Sequence, residues 1–229
     1  MIRNLVFCSK FAVLGVWFGL VCCGCMEERT FNHPAKGFES LFNGKDLTGW
    51  KRHEGLPGEV TGGRWTVEDG AIVGMQEPPG HGGFLTTLRK FRDFELMIEA
   101  KIDWPFDSGV FLRVGQDGKS HQVTLDYRPS GEIGGIYCPW THGFVHHCPE
   151  GIKYLKKDDW NSIRIICEGE PALIRVWVNG TLVTDFQHRT ETTSGIPEEG
   201  TLCLQVHPGG EGYEKSRVWF RNIFIREIR

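Results

Sequence analysis

From Phe38 onward the chain is a succession of short stretches in which apolar and polar residues alternate with a period of two, the mark of β-strands with one face buried. The clearest are residues 65–68 (WTVE), 71–74 (AIVG), 94–102 (FELMIEAKI), 109–114 (GVFLRV), 121–127 (HQVTLDY), 135–137 (GIY), 162–167 (SIRIIC), 173–178 (LIRVWV), 181–184 (TLVT), 201–207 (TLCLQVH) and 217–226 (RVWFRNIFIR). Gly, Pro, Asn and Asp punctuate them. Two hairpins are specified by their turns, Glu68-Asp69-Gly70 and Asn179-Gly180, whose central residues tolerate the positive φ of a type I′ turn. The sequon at Asn179 is accordingly read as a turn and not as a glycan site. No helical period exceeds about two turns, and neither heptads nor an internal repeat is visible. The 30 glycines and 11 prolines of the 229 residues agree with many turns and an all-β domain of two sheets.

The first residues depart from this pattern. Arg3 and Lys10, with no acid nearby, precede an apolar run over residues 11–21 that is too short to span a bilayer comfortably, which reads as a signal peptide. Cys22, Cys23 and Cys25 follow it, and Cys25, behind Gly24, is the expected site of lipid attachment. Residues 1–24 are therefore expected to be a lipoprotein signal, 25–37 a tether without apolar period, and 38–229 one domain. The exported part carries 24 basic and 29 acidic residues, a net charge of −5, which argues against a nucleic acid or an anionic membrane surface as partner. Membrane association is expected only through the lipid anchor, at the periplasmic side or the cell surface. Besides Cys25, four cysteines remain outside the leader, too few for a disulfide scaffold. Cys138 and Cys148 flank a short loop and are expected to pair, while Cys167 and Cys203 sit in apolar strand patterns as buried thiols.

Ten segments in order, 38–50 (FESLFNGKDLTGW), 65–70 (WTVEDG), 91–96 (FRDFEL), 107–113 (DSGVFLR), 122–126 (QVTLD), 134–137 (GGIY), 159–161 (DWN), 177–180 (WVNG), 204–207 (LQVH) and 220–223 (FRNI), together resemble the 3-keto-disaccharide hydrolase domain family, long known as DUF1080 and described as acting as 3-keto-glucoside 1,2-lyases and hydratases. The resemblance implies a concanavalin-like jelly roll of two antiparallel sheets. One departure is Asp107, where the family pattern usually has Asn, so any role that needs an amide there is in doubt.

A jelly roll offers one face to a ligand, and the period of two says which side chains share it. Gln122, Thr124 and Asp126 oppose Val123 and Leu125; Cys203, Gln205 and His207 oppose Leu202, Leu204 and Val206. Glu95, Met97 and Glu99 oppose Leu96, Ile98 and Ala100, and Arg113 follows Gly109 and Phe111. Polar alternation is usually only a solvated outer face, the reading adopted for Glu95. For Arg113, Gln122, Asp126, Gln205 and His207, residue types that surface strands seldom favour, a sugar-binding cleft is the expectation. Tyr137, Trp140, Trp104 and Trp50 lie in or beside loops and could offer aromatic faces to sugar rings, whereas Trp65, Trp160, Trp177 and Trp219 are read as core. The segment 138–148 (CPWTHGFVHHC) holds metal-ligand types, but its spacing matches no structural zinc pattern. It is read as an active-site loop from which His142 reaches substrate, and no metal or other cofactor is expected.

The chemistry that the resemblance implies is set by a ketone at C3 of the sugar. It acidifies the C2 proton; a base removes that proton, the enolate expels the C1 substituent, and water can add to the resulting enone. Such a site needs a base tuned towards neutrality, donors for the enolate oxygen and an acid for the leaving group. His207 or Asp126 is the expected base, Arg113 and Gln122 the enolate donors, and Glu99 or Tyr137 the group at the leaving oxygen, with oligosaccharide or keto sugar as substrate. A non-catalytic carbohydrate-binding module is the rival reading. A laminarinase-type glucanase is not supported, because its Glu-x-Asp-x-x-Glu strand is absent.

Overall fold

The computed structural model describes residues 36–229 except 55, 57–59, 61, 193–194 and 211. The expected signal peptide, Cys25 and all but the end of the tether lie outside the described residues. Fifteen strands form two sheets whose paired strands all run antiparallel. The first sheet has the order β13 (Thr181–Gln187), β12 (Leu173–Val178), β11 (Asn161–Glu168), β6 (Phe94–Ile102), β15 (Arg217–Glu227), β4 (Ala71–Met75), β3 (Arg64–Glu68), with β1 (Glu39–Ser40) added on β15. The second runs β10 (Gly143–His146), β9 (Ile133–Cys138), β8 (His121–Asp126), β7 (Asp107–Val114), β14 (Gly200–Val206), β5 (Gly83–Phe91), β2 (Trp50–Arg52). Two short 3₁₀ turns, Pro149–Tyr154 and Thr190–Thr192, are the described helical segments.

Alternate residues of both sheets build the core between them. Leu96, Ile98, Ala100 and Ile102 of β6 meet the side that carries Val110, Val123, Leu125, Leu202, Leu204 and Val206, all essentially inaccessible. Burial of this apolar area is what holds the sandwich together. The expected turns appear where their residues allow: Asp69 and Gly70 have φ of 49° and 75°, and Asn179 and Gly180 of 48° and 84°, so both hairpins close through two positive-φ positions.

Three expectations change. Strand β5 is missing from the alternating stretches because both of its faces are covered over residues 83–87: Leu85 enters the main core, while Phe84 joins Leu56, Phe111, Val114 and Cys203 in a second apolar cluster on the far side of the sheet. The stretch between Cys138 and Cys148 is not all loop, since Gly143–His146 pairs with β9. Cys138 and Cys148 are both buried free thiols rather than a disulfide, and the Cys148 thiol points to the Val183 carbonyl at 3.4 Å.

Candidate functional site

The face of the second sheet turned away from the core collects most of the expected site residues, because register lines up their common period. Asp107 stands opposite Asp126, Gly109 opposite Thr124, Phe111 opposite Gln122, and Gln122 opposite Tyr137. Strand β14 lies on the other flank of β7 and contributes Gln205, with His207 immediately beyond its end. The Gln122 side chain crosses β7 to reach Gln205, its amide nitrogen donating to the Gln205 amide oxygen at 3.1 Å. It passes so close above residue 109 that a Cβ there would lie 2.4 Å from the amide nitrogen, which is why this position is glycine.

At one end of this strip four charged or titratable groups meet. Arg128 donates to Asp126 from its backbone N–H (3.0 Å), Nε (2.8 Å) and Nη2 (2.6 Å), and the same Nη2 reaches Asp107 Oδ2 at 3.0 Å. His207 Nε2 lies 3.4 Å from that Asp107 oxygen. The carboxylate of Asp107 is almost enclosed, its side chain 11% exposed against 36% for His207. Burial, with the neighbouring charge of Asp126 adding to it, pushes Asp107 up to about 7 against the opposing pull of Arg128. Burial and the Arg128 charge lower His207 below the ordinary imidazole value, so this ring is neutral at physiological pH. Asp126 has its oxygens occupied by Arg128 and holds that guanidinium in place.

The far end of the strip is aromatic. Tyr137 meets the exposed Phe144 edge-on at 5.2 Å, and Phe144 stacks on His147. Trp140, 44% exposed, meets Phe84 at 6.3 Å from a backbone with φ of 56°. A carboxylate–histidine–arginine group, a pair of amides and an aromatic edge thus share one surface, an arrangement able to move a proton and to hold a polyhydroxylated ring.

Several expected residues are elsewhere. Arg113 keeps the period of its strand but has a φ of 53° beside the β7–β14 register shift, which turns its side chain off the shared face. It is fully buried and donates to the Arg92 and Gly169 carbonyls at 2.6 and 2.9 Å and to Asp93 at 2.9 Å, so it clamps two turns and is not available to substrate. Glu99 lies on the outer face of the first sheet, across the whole core from His207, where it accepts from Arg221 at 2.7 Å and Asn222 at 3.0 Å. Its neighbour Glu95 is no solvated residue either, being buried beneath Arg164 and Arg226. His142 is exposed in the β9–β10 turn, and burial followed by the charge of His142 lowers His188. Trp50 is core, its Nε1 donating to the Leu41 carbonyl at 2.7 Å, and Trp104 packs over Tyr127. Trp65 packs against the core edge, but Trp160, Trp177 and Trp219 are half-buried on the outer face of the first sheet beneath Lys101, Arg164 and Arg221, so they are not core residues.

Asp107 and Arg128 were not anticipated as site residues. Asp107 has the same period as Gly109 and Phe111 and could have been placed on the face by that signal. Arg128 follows the end of its strand and carries no periodic signal at all.

The geometry meets a sequence match here: the 3-keto-alpha-glucoside-1,2-lyase-like domain matches residues 37–226. The chain belongs to that family. A 3-keto-disaccharide hydrolase of Bacteroides thetaiotaomicron is 35% identical over 91 residues, 38% of this chain and 30% of that protein. The aligned part is thus under a third of that relative's length. Among solved structures, a candidate glycosyl hydrolase from Parabacteroides distasonis superposes with a TM-score of 0.62 at 23% identity, covering 86% of this chain and 99% of that one. A β-1,3-1,4-glucanase from a mouse hindgut metagenome does so at 0.53 and 12% identity, covering 86% and 96%. At these identities the structural likeness concerns the fold alone, a concanavalin-like jelly roll of two antiparallel sheets.

Proposed function

We propose that this chain cleaves 3-keto-glycosides on the outer face of its second sheet, by elimination across C1–C2 and addition of water, for a net hydrolysis. The observation that carries the reading is the contiguous group Arg128, Asp126, Asp107 and His207 beside the Gln122–Gln205 pair. In this scheme His207, neutral and the more exposed of the pair, takes the C2 proton. The electron pair moves onto the ketone oxygen, then returns to form the C1–C2 double bond as the C1–O bond breaks and the leaving oxygen is protonated. Arg128, held by Asp126, faces the developing enolate charge. Asp107 supports the imidazolium that forms, Gln122 and Gln205 hold ring hydroxyls, and Tyr137 and Trp140 line the aromatic side. Incubation of the purified protein with native and 3-keto disaccharides tests this. Release of the C1 substituent is expected from the keto sugar alone, with exchange of its C2 hydrogen for solvent deuterium. Glycan binding without turnover would transfer the face to a binding module.

Asp107 adds a distinct expectation, because it titrates where its amide counterpart cannot. The wild-type kcat/KM is expected to rise through an apparent value near 7 that belongs to the Asp107–His207 pair. In Asp107→Asn the limb should move to lower pH, towards the depressed value of His207. Stability supplies a second readout with a definite sign. The folded protein keeps a proton on Asp107 between the ordinary aspartate value of 3.8 and about 7, where the unfolded chain has lost it. The stability associated with that proton is complete at low pH and disappears as pH rises to about 7. Asp107→Asn is therefore expected to melt a few degrees above wild type at pH 8 and level with it at pH 4. A limb that stays near 7 in the variant would assign the titration to another group.

We further propose that the chain is exported and anchored through Cys25, on the strength of the charged, apolar and cysteine-containing leader. Cys25→Ser is expected to move the protein from the membrane to the soluble periplasmic or extracellular fraction, and its retention in the membrane fraction would end that reading.

A further inference from the structure

We propose that His121, Cys138 and His188 form a binding site for a transition-metal ion of the zinc type at one end of the sandwich, joining its two sheets. His121 opens β8 and Cys138 closes β9, both on the side of the second sheet that faces the core, while His188 follows β13 of the first sheet. One potential ligand atom from each residue lies within 4.8 Å of the other two, and all three residues are buried. One thiolate and two imidazoles are the donor set that borderline metals such as zinc favour over calcium or magnesium.

The two histidines meet directly. His121 Nε2 and His188 Nδ1 are 2.7 Å apart, their rings nearly perpendicular at 80°. A hydrogen bond between two neutral imidazoles uses one N–H and one lone pair. It leaves the other two ring nitrogens, His121 Nδ1 and His188 Nε2, buried and without partners among the described residues. An ion held by the two facing nitrogens would leave these two as N–H groups, so it is the convergence of three buried ligand atoms that points to the ion. A cation among the three side chains instead gains three ligand bonds from the same groups. The Cys138 thiol, pushed up to about 12 by burial, would lose its proton to solvent as its sulfur binds the ion.

The surroundings fit a closed structural site. A surface hollow lined by Glu170, Gln187, His188, Arg189 and Glu191 gives an entry path. Spacing along the chain conceals the set, since only Cys138 comes from the cysteine- and histidine-rich segment and the two histidines come from elsewhere in the chain. Its consequence would be to fix Cys138, where the turn carrying Trp140 begins.

The test uses the whole exported chain. Protein from zinc-supplemented medium, passed over a chelating resin, is expected to keep about one zinc per chain. Metal-stripped protein given cobalt(II) is expected to show a thiolate-to-cobalt charge-transfer band that is absent in Cys138→Ser and kept in Cys148→Ser. If Cys138→Ser does not fold, zinc-edge X-ray absorption of the wild type decides, with one sulfur at about 2.3 Å and nitrogens at about 2.0 Å expected. Wild-type protein that retains no zinc and gives no such band, a band that survives in folded Cys138→Ser, or a zinc shell without sulfur would each overturn the site.

Discussion

Replacing His207 by alanine is expected to lower turnover of a 3-keto-glycoside by about a hundredfold or more, the scale for losing a general acid or base, while the protein melts within a few degrees of wild type. The two outcomes separate because of where the side chain sits. His207 lies just past the end of β14, more than a third of its side chain is in solvent, and its described ion-pair partner is Asp107 at 3.4 Å. Removing it opens no cavity in the core. Two positions earlier along the same stretch, Gln205 shares its face; one position before that, Leu204 points the other way and is 2% exposed. Leu204→Ala should therefore do the opposite, costing about 2–5 kcal/mol of stability with little loss of turnover per folded molecule. Measuring kcat/KM, C2 deuterium exchange and thermal midpoints on both variants decides the matter. Full activity in His207→Ala on a keto sugar that the wild type cleaves would remove His207 from the mechanism and leave the fold untouched.

Arg113→Met should be the reverse case, a loss of roughly 3 kcal/mol in stability with unchanged catalysis by the molecules that remain folded. A guanidinium with no solvent-exposed surface has to have its donors satisfied, and Arg113 does so with the Arg92 and Gly169 carbonyls and the Asp93 carboxylate. Those acceptors lie in the β5–β6 and β11–β12 turns, so one side chain ties β7 to the connection between the two sheets and to a turn of the first. Methionine fills part of the volume but leaves two carbonyls and a carboxylate short of a donor, and breaking a buried pair on one side costs on the order of 3–5 kcal/mol. The lower end applies because Asp93 is 29% exposed and can regain water. Urea denaturation monitored by fluorescence, with turnover normalised to the folded fraction, checks both halves. A variant with wild-type stability and depressed kcat/KM would return Arg113 to the substrate.

These two arginine and histidine positions also mark how far the sequence could be read. Alternation with period two is a local property, imposed on each strand by its own pleat and by having one side in the core, so the strands, their inward leucines and valines, and the shared face of Gln122, Asp126, Gln205 and His207 were all legible from residue order. The two hairpin turns were legible for the same local reason, through the φ that Asp69-Gly70 and Asn179-Gly180 can adopt. Strand β5 escaped because both its faces are covered over residues 83–87, which removes the alternation by which a strand is recognised.

What chain order could not determine was which strands become neighbours and where a regular strand breaks. Glu99 has the same alternation as Asp126, but sheet assignment puts the thickness of the core between them. Arg113 has the same parity as Asp107, but one residue in the left-handed region turns its side chain into the clamp. Asp107, Arg128 and His207 meet only because β7 pairs with β8 on one side and with β14 on the other, and the raised value of Asp107 exists only after that meeting has excluded water and brought Asp126 beside it. Desolvation and charge proximity are properties of the packed state, so the residue types were written in the sequence and their chemistry was decided by the tertiary structure.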